Sequence, residues 1–265
     1  MRACRIPGVP NRRLTGANPA AAVGLQRSAA NPLGVTEKEL EETRRVARRE
    51  AAPFVLIAVG ADLLLALGSW WHDWRLYSAN DWWIWLILAL PALLLAIVFA
   101  LGIGRLGVSS RHRRKAAVML LGLLAAANFF AVGLVLGSLA GGGGTMTGLQ
   151  LLATAAVVLT VNIITFALIF WELDCGGPVA RATADRRVTP DFQFPQDENP
   201  ELAPEGWGPA LEDYLYIAAT NSIAFSPTDA MPLTHRAKLV MGAESFVAAV
   251  TLLIVAARAV NILQG

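Results

Sequence analysis

Three ionisable residues stand inside long apolar runs of this sequence: Asp62 midway along 54–71, and Glu244 and Arg258 within 239–263. An ionisable group in hydrocarbon costs on the order of a few kcal/mol even on lenient insertion scales, so it must face a partner, water or a bundle interior. Glu244 and Arg258 are separated by fourteen positions, which returns a helix to nearly the same face. Asn128 in the third run and Thr160, Asn162 and Thr165 in the fourth add hydrogen-bonding groups. Two readings follow. In one, Asp62, Asn128, Asn162, Glu244 and Arg258 line a polar track for ions or protons. In the other, Arg258 snorkels to an interface, Glu244 lies near a wetted end, and the amides and hydroxyls tie helices together.

A second group lies in the stretch EDYLYIAATNSIAFSPTDAMPLTHRAKL, which joins a short amphipathic segment, a polar turn and a long final apolar run. Its order is similar to the pore helix, filter and inner helix of a cation channel, and would place Thr220, Asn221, Ser222, Ser226, Thr228 and Asp229 at a mouth. A potassium filter aims successive carbonyls at the ion through glycines that tolerate unusual backbone angles. No glycine occurs between Ala210 and Lys238, so that chemistry is missing. The same residues also read as a short sixth crossing with an outer loop at 226–235. Re-entrant and crossing geometries both stay open.

Enzymatic chemistry finds little support. The histidines, His72, His112 and His235, fall outside the apolar runs, and no H-E-x-x-H, G-x-S-x-G or Walker-type loop occurs. The expectation is no enzyme, no catalytic or metal-binding residues and no cofactor. Cys4 and Cys175 form no C-x-x-C pair, so free thiols are expected, without disulfide or structural zinc.

The elements that must position these residues are membrane helices. Hydrophobic residues make up 55% of the chain and charged ones only 16%, and the mean hydropathy of +0.50 lies above the balance of a soluble domain. Runs at 54–71, 82–103, 116–140, 149–171 and 239–263 each approach or exceed the length of about 20 residues that crosses hydrocarbon. A run at 211–225 is marginal. The formal net charge of +2 is too small to suggest nucleic acid, so no nucleic-acid partner is expected, and placement of the charges matters more than their sum. Arg44, Arg45, Arg48 and Arg49 precede the first run, and Arg105, Arg111, Arg113, Arg114 and Lys115 separate the second from the third. By the positive-inside rule the N-terminus is cytoplasmic, as is the loop carrying Arg181, Arg186 and Arg187. Trp70, Trp71, Trp74, Trp82, Trp83 and Trp85 cluster at the first outer loop as interfacial anchors.

Small residues recur every fourth position at Ala92, Ala96, Ala100 and Gly104, and again at Gly133, Gly137 and Gly141, a pattern that lets helices approach closely, within one chain in the favoured reading or between two copies in the other. Pro91 removes a backbone hydrogen bond and predicts a kink near Ile87. Residues 1–35 lack periodicity and read as a disordered tail. Thr36 and Glu39 fit a capping box that opens a charged helix.

Asp191, Phe192, Phe194 and Pro195, then Asp213, Tyr214, Leu215 and Tyr216, then Ser226, Asp229, Arg236 and Asn261 resemble a family of bacterial integral membrane proteins known as a domain of unknown function. The resemblance is clearest from Gly141 to the C-terminus and brings no activity with it. Where it implies a glycine-containing segment, this chain has TNSIAF.

The expected fold is all-α: a polytopic transmembrane helical bundle of five long spans plus one short re-entrant or crossing helix. Its parts are a tail (1–35), a charged cytoplasmic helix (36–52), a four-helix transmembrane region (53–171), a cytoplasmic loop (172–210) and a C-terminal pore-like hairpin (211–265). The expected setting is a bacterial plasma membrane. The partners are the lipid bilayer, a second copy in a homo-oligomer, and an ion or small solute passed in channel-like fashion. A noncatalytic membrane scaffold is the alternative.

Overall fold

The structure, a computed structural model, describes residues 37–72, 74, 82–100, 110–140, 147–183, 189–205, 207–226 and 229–263. The tail and the Thr36–Glu39 cap lie outside the described residues and side chains, as do Gly104, Gly141 and Thr228 and the side chains of Ala100 and Arg258. Eight α-helices occur among the described residues: α1 (Glu37–Trp71), α2 (Trp82–Ala100), α3 (Ser110–Ala140), α4 (Gly148–Leu173), α5 (Pro178–Thr183), α6 (Pro195–Glu198), α7 (Leu211–Ala224) and α8 (His235–Leu263). Two short strands, β1 (Phe192–Gln193) and β2 (Met231–Pro232), pair antiparallel.

Four of the helices are long and apolar enough to cross a membrane, at Glu41–Trp71, Lys115–Gly137, Gly148–Arg181 and His235–Ala257. Of the five long spans expected from sequence, four are thus found among the described residues, and α2 counts as an apolar helix described over Trp82–Ile97. The charged preamble is not a separate element. It continues through Pro53 into the first apolar run as the single 35-residue α1. α2 likewise stays helical through Pro91.

α4 is the hub, packing against α1, α3, α7 and α8. Half of its most apolar window is buried against a third in the other three long helices. Its start is secured by a capping box, in which the Thr147 hydroxyl accepts from Gln150 N (3.3 Å) and the Gln150 side chain accepts from Thr147 N (2.8 Å).

Two buried clusters reveal the directions of the five longest helices. The first gathers Val55 of α1, Leu95 of α2, Leu121 of α3, Phe170 of α4 and Met241 of α8. The second gathers Leu65, Trp85, Val132, Leu151 and Ile254 from those same helices. α1, α3 and α8 therefore run from the first cluster to the second, and α2 and α4 run back. Trp85, expected as an interfacial anchor, is instead 4% exposed inside the second cluster.

α7 contributes Leu211, Tyr214, Ile217 and Ala218 to the first cluster and, among the described residues, nothing to the second. At 14 residues it is about 21 Å long, short of the roughly 30 Å of a hydrocarbon core. It stops where Phe225 adopts a left-handed conformation (φ 55°), and β2 then returns the chain to β1 beside the end of α4.

The outward faces are apolar. Leu64, Met119, Leu239 and Leu253 are each more than two-thirds exposed, a pattern costly in water and suited to lipid. The small-residue stripes behave differently from one another. Ala92 is fully buried and Ala96 packs beside it, whereas a Cβ placed on Gly133 would meet nothing within 4 Å. That part of the second stripe does not pack within the chain.

Candidate functional site

The polar residues of α7 and α8 meet halfway into the bundle. Glu244 is fully buried, and both of its carboxylate oxygens accept hydrogen bonds from α7: Asn221 Nδ2 donates to Oε2 (2.6 Å) and Ser222 Oγ donates to Oε1 (3.0 Å). Asn221 Nδ2 also donates to the Met241 carbonyl (3.0 Å), and Ser245 Oγ donates to the Asn221 carbonyl (3.4 Å). From α4, Asn162 Nδ2 donates to the backbone oxygen of Glu244 (3.4 Å). The Asp174–Arg181 and Asp191–Arg236 ion pairs lie elsewhere, and the donors that hold the Glu244 carboxylate, Asn221 and Ser222, are neutral.

Local sequence explains the convergence. Asn221 and Ser222 lie about two and a half turns past the polar start of α7, and Glu244 lies about two and a half turns into α8. Because both helices start at the same end of the bundle, these residues reach the same depth.

Asp62 occupies a different place. With Asn128 it lines a cavity of about 10 Å³, walled by Leu65, Trp85, Leu88 and Val161, room for roughly one water molecule. Asn128 Nδ2 is buried without a partner there. Val161 of α4 faces this cavity while its neighbour Asn162 faces Glu244. The residues expected to form one polar track thus divide into two foci on either side of α4.

The hairpin residues divide as well. Asn221 and Ser222 are buried at the Glu244 focus, and the Thr220 hydroxyl donates to its own helix at Tyr216 O (2.9 Å). Ser226 and Asp229 are exposed. Thr160, grouped with the polar residues of the fourth run, donates to Ala156 O (2.7 Å).

A second polar assembly, to which sequence reasoning gave no role, closes the end of the bundle where α4 terminates. Buried Asp174 accepts from Asp191 N (2.7 Å) and Phe192 N (3.3 Å) on one oxygen and from the Tyr214 hydroxyl (2.6 Å) on the other. Arg181, also buried, donates to the carbonyls of Trp171 (2.9 Å) and Asp174 (3.0 Å) and to Tyr214 Oη (3.2 Å). Burial holds the Tyr214 phenol well above its ordinary pKa, against the pull of the Arg181 cation. The fully buried Asp191 carboxylate takes Arg236 Nε (2.6 Å) and Nη2 (2.5 Å) and Thr234 Oγ1 (2.5 Å), while its carbonyl accepts from Leu233 N (2.8 Å). Asp191, Tyr214 and Arg236 were visible in the sequence only as motif residues. Nothing in their spacing announces that three separated segments meet.

Cys175, expected to be a free thiol, is disulfide-bonded. No group of three or more His, Cys, Asp or Glu residues suited to a metal occurs among the described residues. No protein-family model, curated protein or solved structure matches the chain.

Proposed function

We propose that this chain is a multi-pass protein of a bacterial plasma membrane, N-terminus cytoplasmic, that passes ions or small solutes across the bilayer with Glu244 as its central binding station. The carrying observation is the burial of the Glu244 carboxylate against neutral donors only. A group so expensive to bury persists where its charge is used. In this reading α7 is re-entrant: it enters from the end marked by Asp174, reaches Glu244 at mid-depth and returns through β2, leaving α8 to complete the crossing. The motif resemblance to the bacterial family of unknown function belongs to the same proposal.

The test is flux in proteoliposomes. Wild-type protein should pass ions above empty vesicles, and Glu244→Gln should abolish the increment. Wild-type vesicles indistinguishable from empty ones would remove the proposal's support. Re-entry has its own test, in a background lacking Cys4 and Cys175. Single cysteines at Asp229 and Glu201 should react with an impermeant reagent from the same side, and labelling from opposite sides would show that α7 crosses.

The scaffold alternative draws on one observation. Gly133 and Gly242 sit in helices with open space where a side chain would be, so another helix could approach them closely. Cross-linking of copies through cysteines at these positions would favour it.

A further inference from the structure

We infer that the species bound at Glu244 is a proton, carried on Oε1 with Ser222 as its hydrogen-bond partner, an inference that rests on the passage reading. The orientation of Asn221 carries the argument. Its Nδ2 lies 3.0 Å from the Met241 carbonyl, which can only accept, and 2.6 Å from Glu244 Oε2. The amide nitrogen, not its oxygen, therefore faces the carboxylate. Asn162 likewise turns Nδ2 toward the Glu244 backbone oxygen. A metal cation seeks several oxygen ligands at once, yet both amides present the positive ends of their dipoles at this focus.

A proton fits the same geometry without rearranging the helices. When Glu244 is ionised, Ser222 O–H donates to Oε1 across 3.0 Å. When a proton adds to Oε1, the new O–H donates to Ser222 Oγ, and the serine turns its own proton toward the carbonyl one turn back in α7, a bond that serine in a helix readily makes. The proton comes from water on one side and returns to water on the other, so no further reactant is needed. Asn221 stays bonded to Oε2 throughout. The side chains facing Glu244 are Asn221 and Ser222 from α7 and Asn162 from α4; none of them titrates, and no charged group from a packed element acts on the carboxylate. On the same face of α4, Asn162 Oδ1 and Thr165 Oγ1 are fully buried without partners.

Infrared difference spectroscopy of the purified protein in lipid tests this independently of transport. A carboxylic-acid C=O band that appears and disappears with pH should be present in wild type, retained in Asp62→Asn and lost in Glu244→Gln. It should shift in frequency in Ser222→Ala, which removes only the hydroxyl, and should be unchanged when NaCl replaces choline chloride. Parallel flux assays should show proton movement that falls to the empty-vesicle level in Glu244→Gln. Should that variant not fold, Ser222→Ala decides, because an unshifted band refutes the assigned partner. A band suppressed by sodium, or none that depends on Glu244, overturns the proton assignment even if ions still pass. A Glu244 band with no flux of any ion overturns passage and, with it, the proton as carried species.

Discussion

Asp191 and Arg236 form a pair whose two halves differ in exposure, and that difference makes their substitutions unequal. The Asp191 side chain is fully buried whereas that of Arg236 is 57% exposed. Arg236→Gln takes away both guanidinium donors and leaves a buried carboxylate with Thr234 alone, a situation that costs about 3–5 kcal/mol. Asp191→Asn, in contrast, releases an arginine that is already half in water and can hydrate. Only the net worth of the charge-assisted bonds is then lost, about 1.5–3 kcal/mol. The backbone ties of residue 191 to Asp174 and Leu233 survive either change. Arg236→Gln should therefore be the more damaging by roughly 1.5 kcal/mol, about tenfold in the folded-to-unfolded ratio. The double variant should sit near Asp191→Asn alone. Reversible unfolding in mixed micelles, followed by tryptophan fluorescence and analysed as a double-mutant cycle, measures all three. An Asp191→Asn cost equal to or above that of Arg236→Gln, or additive costs in the double variant, would refute the reasoning.

Other expectations follow from the same structure. Tyr214→Phe removes the hydroxyl shared by Asp174 and Arg181 and should lower stability by about 1–3 kcal/mol in the same unfolding assay; an unchanged midpoint would mean that water replaces the hydroxyl. Gly177→Ala forces a side chain onto a backbone at φ 93° and ψ 169°, with its Cβ 2.7 Å from a Glu172 oxygen, so a loss of about 1–3 kcal/mol is expected. Asp62→Asn should reduce ion flux less than Glu244→Gln, because Asp62 lines a separate cavity on the other side of α4. Equal losses would show that the two foci act as one path. Finally, Trp85→Ala empties a core position rather than an interface and should cost about 3–5 kcal/mol.

Much of this protein was legible without coordinates because hydrocarbon imposes length and composition on whatever crosses it. The long apolar runs announced the helices, and their order survives in the alternating directions of α1 to α4. The buried carboxylate at Glu244 was also visible, since a lone acid in an apolar run stands out on cost alone. Trp85 was misjudged because an indole near a span's end reads the same from sequence whether it turns to the headgroups or to the core.

What only the tertiary structure decided is which polar groups share a place. Asp62 and Glu244 both read as members of one track, yet the two faces of α4 presented by Val161 and Asn162 hold them apart. Asp174, Asp191, Tyr214 and Arg236 come from segments separated by as many as 62 positions, and no local spacing predicts their meeting. The placement of α7 relative to α8 was hidden from the sequence for the same reason. Its composition suits a crossing or a returning path alike, and it is the pairing of β1 with β2 and the hold of Asp191 on Arg236 that bring the start of α8 back beside the start of α7. Periodicity and solvation cost act along the chain and are read from it, whereas hydrogen bonds between distant segments depend on where the whole fold has put them.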